Sequence, residues 1–304
     1  MSKSESINYI PFKQKLRGYL KHPMSLFLLI LVIGAAVITV GLVAILLGHL
    51  LIKGVPHIKP HLFEWKYTTD NLSMMPAIIN TFIMVILTLL IAVPIGISSA
   101  VYLVEYAKRG NKAVSVIRIT TETLAGIPSI VFGLFGFIVF NTMIFKGYSM
   151  IGGALTLSMM VLPIIIRTTE EALISVPDLF REGSFGLGAG KLRTITKIVL
   201  PYAMPGILAG VILSIGRIVG ETAALIFTAG TIAEVPLKFS PQTLFGLTES
   251  GRTLSLHLFE LVQNPQAPTD RYFNAAYATA VVLLFLVVLI NALSSFIAKK
   301  LSSK

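Results

Sequence analysis

Charged side chains inside apolar stretches are the residues of this sequence best placed to do chemistry. Arg217 and Glu221 lie four residues apart in one such stretch, so a helix would carry both on one face. If the stretch crosses a lipid bilayer, the arginine is disfavoured by roughly 2.5 to 3.5 kcal/mol unless it faces protein or water. The pair is therefore predicted either to orient neighbouring helices or to line a pathway for an anion.

A second group, Arg167 with Glu170 and Glu171, lies near the end of another apolar stretch. Its guanidinium could line the same pathway or extend to the membrane surface. A guanidinium presents a planar fork of donors that suits the oxygens of an oxyanion. A carboxylate beside it competes with the bound anion and keeps binding weak enough for release. We therefore predict Arg217, Glu221, Arg167 and Glu170 as pathway residues, with Glu221 tuning Arg217.

The elements that must position these residues are membrane-spanning helices. The chain has 304 residues, of which 55% are hydrophobic and 13% charged, far from the composition of a soluble domain. Cysteine is absent, which excludes disulfides and thiolate chemistry. Six apolar segments reach the roughly 20 residues that cross a bilayer. They are 25–52, 76–104, 124–145, 150–174, 202–231 and 275–298. The predicted fold class is all-α, in a polytopic membrane protein with six transmembrane helices.

The distribution of basic residues predicts the orientation of the chain in the membrane. Sixteen lysines and arginines lie in the two tails and in loops 105–118 and 175–199, whereas seven lie in the other three loops. By the positive-inside rule, both termini and loop 175–199 are predicted to be cytoplasmic. The first apolar segment is much longer than the roughly 7 to 15 apolar residues of a signal peptide, so it is predicted to remain as an anchor.

The chain is predicted to divide into four parts. They are a cytoplasmic tail (1–24), a first helix with its external loop (25–74), a core (75–298) and a second cytoplasmic tail (299–304). Prolines 94, 128, 163 and 205 predict kinked, bundled helices. Gly206 with Gly210, and Gly216 with Gly220, predict close approach of a neighbouring helix. The long loop 231–274 is predicted to contain short structure or a surface for an external partner.

A polar insert at about 178–197 is too amphipathic to cross a bilayer. Pro177 precedes it and discourages continuation of the preceding helix. Glycines at 186, 188 and 190 predict a short helix, a sharp bend and a second helix that ends near Leu200 and Pro201. Such an element is expected to dock into a cleft of a soluble protein. The alternative is an interfacial helix that lies on lipid headgroups.

The insert resembles the cytoplasmic coupling segment of the permease subunits of binding-protein-dependent ABC importers. That pattern is Glu-Ala-Ala, three residues, Gly, nine residues, then Ile-x-Leu-Pro. Every spacing is kept in this sequence, and the matching residues are Glu182, Gly183, Ser184, Gly188, Ile198, Leu200 and Pro201. Gly183 and Ser184 stand where alanines are usual, which lowers the helix propensity of the first turn. The resemblance implies that Glu182, Gly183, Ser184, Gly188, Leu200 and Pro201 couple the chain to an ATPase.

Three further stretches, 124–133, 167–173 and 216–225, resemble the phosphate-importing subfamily and in particular its PstA-type subunit. The resemblance implies a type I ABC importer permease in a bacterial or archaeal plasma (inner) membrane. It also implies three partners: a homologous PstC-type permease, a cytoplasmic PstB-type ATPase dimer and an extracytoplasmic PstS-type phosphate-binding protein. In this interpretation the chain is not an enzyme and holds no cofactor, because the partner ATPase binds ATP and Mg²⁺.

Other kinds of chemistry find little support in the sequence. The basic residues flank apolar runs, which argues against nucleic-acid binding. Pro60 lies between His57 and His61 and disfavours a helical metal site. Lys191 is followed by leucine, so the glycine-rich stretch is not a nucleotide-binding P-loop. The alternatives left open are a permease for sulfate or molybdate, an ATP-independent channel or secondary transporter, and an intramembrane enzyme.

Overall fold

The computed structural model describes residues 23–108, 110–235, 246–263 and 270–302, and the regular structure in these ranges is helical. The α-helices are α1 Pro23–Gly54, α2 Met75–Val101, α3 Lys112–Ala125, α4 Ser129–Gly136, α5 Met150–Ile174, α6 Asp178–Gly186, α7 Lys191–Thr194, α8 Leu200–Gly220, α9 Ala223–Thr228, α10 Leu254–Gln263 and α11 Asp270–Ser302. Wide π turns at Tyr102–Tyr106, Phe137–Ile144 and Ile195–Val199 extend α2 and α4 and join α7 to α8. Most of the predicted amino-terminal tail, prolines 236, 241, 265 and 268, and residues 303–304 lie outside the described residues.

The chain divides into two compact units, residues 1–53 and residues 54–304. Helix α1 provides the described part of the first unit. It is apolar around its whole circumference and long enough to cross a bilayer, as predicted for an anchor. All other helices belong to the second unit.

Five helices in the described residues are long and apolar enough to span a membrane, and a bent pair would make six. The predicted segments 25–52, 76–104, 150–174 and 275–298 are confirmed as helices. Segment 124–145 was predicted as one helix, and this is wrong. Its first residues belong to the end of α3, and α3 meets the helical run Ser129–Ile144 at an angle of 101°. Half of the predicted loop 105–118 is therefore helical, since α3 begins at Lys112.

The elbow between α3 and α4 has a local cause. Gly126 follows the last residue of α3, and Pro128 begins α4 with an extended ψ of 140°. A proline disfavours helical geometry in the residue before it and cannot donate a backbone hydrogen bond. The chain therefore turns between two helices that the hydropathy pattern alone does not separate.

The predicted helix 202–231 is also interrupted. Helix α8 ends at Gly220, and Glu221 has an extended backbone with φ −73° and ψ 128°. The Glu221 carboxylate accepts a hydrogen bond of 3.1 Å from the backbone N–H of Ala224, in the first turn of α9. A carboxylate that caps a new helix competes with continuation of the old one, which explains the break.

Helix α5 lies at the centre of the second unit and packs against both α2 and α8. A side chain at Gly206 would come within 2.6 Å of the Cβ atom of Ala172, and one at Gly210 would overlap the hydroxyl of Thr168. The close approach predicted for Gly206 and Gly210 is thus confirmed. Gly220 has open space around it, so the second glycine pair does not form an equally close contact.

Replacing Gly210 by alanine is expected to destabilise the fold by about 1 to 3 kcal/mol, because the added methyl overlaps Thr168 in the α5–α8 contact. Thermal unfolding of the purified protein in detergent measures the effect. Gly220→Ala is the matched control, since a methyl there meets nothing within 4 Å. Equal melting temperatures for the two variants would show that the contact is not tight.

The loop after α9 folds back over the helix ends. The first backbone N–H groups of α5 donate to loop carbonyls, Met150 to Glu249 at 3.0 Å and Ile151 to Leu247 at 3.0 Å. Helix α10 follows, which confirms the prediction of short structure in this loop, and it buries His257 completely. The His257 ring lies edge-on to Tyr67, with 6.0 Å between the ring centroids.

Burial, together with the nearby positive charge of Arg252, lowers the pKa of His257 from 6.5 to about 3. The unfolded chain binds a proton at His257 below pH 6.5, whereas the folded protein excludes it until about pH 3. The free energy of unfolding is therefore expected to fall as the pH drops from 6.5 towards 3.

Melting temperatures measured over this pH range test that expectation. His257→Leu should flatten the dependence, because the group that titrates differently in the two states is gone. His61→Leu is the control, since it removes an imidazole from an exposed position away from α10. An unchanged slope in His257→Leu would assign the acid sensitivity to other groups.

Candidate functional site: the insert and the membrane-embedded charges

The insert forms a short helix, a bend and a second helical run. Backbone N–H groups of Gly188 and Ala189 donate to the carbonyls of Phe185 and Ser184, at 2.9 and 3.1 Å. This pair of bonds ends α6 and requires a left-handed residue, and Gly188 has φ +80°. The motif therefore has glycine at position 188 because the backbone there is left-handed, and the predicted bend is confirmed.

The predicted end of the second helix near Leu200 and Pro201 is wrong. A helical run continues from Lys191 to Gly220, through the π turn Ile195–Val199. Pro201 has no N–H to donate, and the wide turn lies immediately before it, where Leu200 donates to the carbonyl of Ile195. The insert is thus joined to the membrane-spanning helix α8 without a loop, so a displacement of α7 is transmitted to α8.

The two arms of the insert are joined by a buried hydrogen bond. The hydroxyl oxygens of Ser184 and Thr194 are 2.8 Å apart, and both residues are buried. Ser184 stands where the family pattern has alanine, so in this chain the departure adds a contact. Glu182 and Gly183 are exposed, and a side chain at Gly183 would meet nothing within 4 Å. These two residues are open to a partner.

Arg181 anchors the insert to the rest of the molecule, and sequence reasoning missed it. Its guanidinium donates to the Glu105 carboxylate at 2.8 and 3.1 Å, and to the carbonyls of Leu173 and Val176 at 2.9 and 2.7 Å. Both charged side chains are largely buried, with exposed fractions of 14% and 8%. The sequence offered one signal, an arginine at the first turn of an otherwise exposed amphipathic helix. Its partner lies 76 residues away.

The outer face of the insert is apolar and exposed. The exposed fractions are 77% for Leu179, 91% for Leu187 and 67% for Leu192. Leu179, Phe180 and Leu187 border a shallow groove of about 360 Å³ that also contains Arg193 and Lys197. Large exposed apolar side chains with a basic rim are typical of a protein interaction site. The geometry supports the predicted docking role for this face.

Arg217 and Glu221 do not share a helical face. Arg217 lies in the last turn of α8, and Glu221 lies beyond its end. The structure describes both residues and shows no ion pair between them, since the Glu221 carboxylate caps α9 instead. The backbone carbonyl of Glu221 accepts a 2.7 Å hydrogen bond from Ser255 of α10. Arg217 is half-buried, and no carboxylate in the described residues lies within ion-pair distance of it. The predicted pairing is therefore wrong.

The residues of the second charged group, Arg167, Glu170 and Glu171, take part in two separate ion pairs. Glu170 pairs with Arg118 of α3, while Arg167 pairs with Glu171 at 3.0 Å. The Arg167 and Glu171 side chains are each 64% exposed. A groove of about 270 Å³ between α3 and α5 contains these residues together with Glu122. It holds more carboxylates than basic groups, which is less favourable for an anion than the surroundings of Arg217. A pathway role for Arg167 and Glu170 stays a prediction.

Comparisons with known proteins agree with this geometry. The family model of the binding-protein-dependent transport system inner membrane component matches residues 92–304. The chain belongs to this family. The match covers the elbow, the insert and the helices from α5 to α11, so these elements are those of an inner-membrane transport component.

Relatives of this family resemble most of the chain. The probable ABC transporter permease protein YqgI of Bacillus subtilis is 33% identical over 88% of this chain and 94% of its own length. The phosphate transport system permease protein PstA 1 of Mycobacterium tuberculosis is 35% identical over 73% of this chain and 69% of its own. A solved bacterial ABC transporter that imports the acidic polysaccharide alginate has 16% identity and a TM-score of 0.61 over 94% of this chain and 99% of that one. The last likeness shows the ABC importer permease fold.

Proposed function

We propose that this chain is the PstA-type permease subunit of an ATP-driven phosphate importer. Support comes from the family, from relatives named as phosphate transport permeases, and from Arg217. The observation that carries the proposal is that Arg217 lies half-buried in a membrane span with no carboxylate partner among the described residues. A guanidinium left unpaired at that position is suited to a passing oxyanion.

The pathway is proposed to run beside the break between α8 and α9. Phosphate carries between one and two negative charges near neutral pH, and Arg217 offers it a fork of donors. Glu221 lies just beyond Arg217 and contributes a negative charge near the pathway, which favours release. The break places irregular backbone beside Arg217, and such backbone occurs at membrane depth only where it is buried in protein or lines a cavity.

Energy is proposed to enter through the insert. A cytoplasmic PstB-type ATPase dimer, which binds ATP and Mg²⁺, would grip the exposed leucine face of α6 and α7. Since α7 continues directly into α8, closure of the ATPase dimer would move the helix that carries Arg217. The proposed partners in the membrane and outside it are a PstC-type permease and a PstS-type phosphate-binding protein. Both termini and the insert are proposed to be cytoplasmic.

Reconstitution of the four-component complex in proteoliposomes tests the function. Uptake of radiolabelled phosphate should require ATP, and it should be reduced by unlabelled phosphate and arsenate but not by sulfate. Inhibition by sulfate at equal concentration would assign the permease to the second candidate class, other oxyanions, which an arginine also recognises. Uptake by this chain alone without nucleotide would overturn the ATP-driven mechanism.

A further inference from the structure

A cavity of about 920 Å³ lies beside the insert and has no role in the proposed pathway. Its walls are the π turn after α2, the start of α3, the last residue of α5 and the inner side of the insert. It is therefore a meeting point between the insert and the membrane-spanning helices.

The cavity carries uncompensated positive charge. Five basic and two acidic side chains line it, and both acidic groups, Glu105 and Asp178, are engaged by Arg181. Lys108 and Lys112 are exposed, and neither forms an ion pair with a residue that the structure describes. The ammonium of Lys191 lies 4.8 Å from the centroid of the Tyr106 ring. Clustered ammonium groups without carboxylates repel one another, so an external anion would stabilise this region.

The position of the cavity along the membrane-spanning helices indicates the source of that anion. The spans Met75–Tyr106 and Met150–Ile174 both end at its wall. Apolar residues at these span ends, Leu103, Val104 and Ile174, contribute to the lining, and Ile174 is 61% exposed. Apolar residues at the end of a span, next to lysines, correspond to the boundary between acyl chains and headgroups.

We infer that this cavity binds the phosphodiester headgroup of an anionic membrane lipid. The inference rests on the proposed orientation, which places the cavity in the cytoplasmic leaflet, where anionic lipids attract basic residues. An anionic lipid fits both the basic and the apolar parts of the cavity, since its phosphodiester reaches the lysines and its acyl chains lie against Ile174. Inorganic phosphate would leave the apolar wall uncovered.

Occupancy has a mechanical consequence. Lys191 belongs to the insert, whereas Lys108 and Lys112 belong to the segment between α2 and α3. A headgroup held by all three bridges the insert to the transmembrane helices beside the Arg181 anchor. Bound lipid is therefore expected to stiffen the insert and to improve coupling of ATP hydrolysis to transport.

Native mass spectrometry of the complex, purified with its partner subunits, tests the inference with phosphatidylglycerol as the probe. The double variant Lys108→Gln/Lys112→Gln is expected to retain phosphatidylglycerol roughly 30-fold more weakly than the unaltered complex. The control variant Lys66→Gln/Lys146→Gln removes the same charge from loops on the other side of the membrane. It should retain the lipid normally. Phosphatidylcholine should bind all three complexes equally weakly.

Three results would overturn the inference. The first is equal retention by the double variant and the unaltered complex, and the second is an equal loss in the control variant. The third is displacement of phosphatidylglycerol by millimolar inorganic phosphate, which would assign the cavity to a soluble anion. Lipid retention is measured without transport, so a complex that retains lipid but fails to import phosphate refutes only the proposed function.

Discussion

Replacing Arg181 by alanine is expected to detach the insert and abolish ATPase binding, while insertion into the membrane is spared. The change leaves the Glu105 carboxylate, only 8% exposed, without its positive partner, and it removes the donor to two backbone carbonyls. Breaking a buried ion pair by removing one partner costs about 3 to 5 kcal/mol. The measurements are the thermal midpoint of the permease and the amount of ATPase that co-purifies with it.

A double variant separates the ion pair from the arginine itself. Arg181→Met with Glu105→Gln removes both charges and leaves no unpaired buried carboxylate, so it should be more stable than Arg181→Ala. Arg181→Lys keeps the charge but not the fork of donors, so its thermal midpoint is expected to lie between those of the unaltered protein and Arg181→Ala. If Arg181→Ala melts at the normal temperature and carries its full complement of ATPase, Arg181 is not the anchor.

Replacing Arg217 by glutamine is expected to reduce ATP-driven phosphate uptake at least about tenfold, because each lost hydrogen bond to a charged group is worth about 1.5 to 3 kcal/mol. Assembly should be preserved, since Arg217 has no ion-pair partner among the described residues whose loss would destabilise the fold. Uptake kinetics in proteoliposomes, with complex composition verified on gels, measure the effect. Normal uptake in Arg217→Gln would exclude Arg217 from the pathway.

Glu221 allows charge and structure to be tested separately. Glu221→Gln keeps an oxygen that can accept from Ala224 and so preserves the cap of α9 while removing the charge. Phosphate is then expected to bind more tightly and to leave more slowly, so both KM and the maximal rate should fall. Glu221→Ala additionally loses the cap and should lower stability by about 1 kcal/mol. Unchanged kinetics in Glu221→Gln would contradict the tuning role.

Arg167→Gln tests the other predicted pathway group. Arg167 pairs with Glu171 at an exposed position, where solvent screens the interaction and such pairs contribute little to stability. The acidic surroundings predict a smaller effect on uptake than in Arg217→Gln. A loss equal to that of Arg217→Gln would place both arginines on the route of the anion.

The sequence alone determined the class of the protein, four of the six predicted spans and the position of the insert. Helix α5 occupies the predicted residues 150–174. The Ser149 hydroxyl caps its first turn by accepting a 3.0 Å hydrogen bond from the Gly152 N–H, and Pro177 follows its end. The bend at Gly188 also follows from local chemistry, since the left-handed turn suits a residue without a side chain. These features depend on residues that are close in the chain, so they can be predicted from the sequence pattern.

Only the tertiary structure decided how the charges are paired. Glu221 turns away from Arg217 to cap α9, Glu170 pairs with Arg118, and Glu105 holds Arg181 from 76 residues away. Hydropathy does not distinguish a continuous helix from one broken at Gly220, since apolar residues lie on both sides of the break. Ion pairs join residues that are distant in the chain, and the folded arrangement of helices determines which of them meet. The spacing of charges therefore identified candidate residues, and packing decided which of them form ion pairs within the described part of the chain.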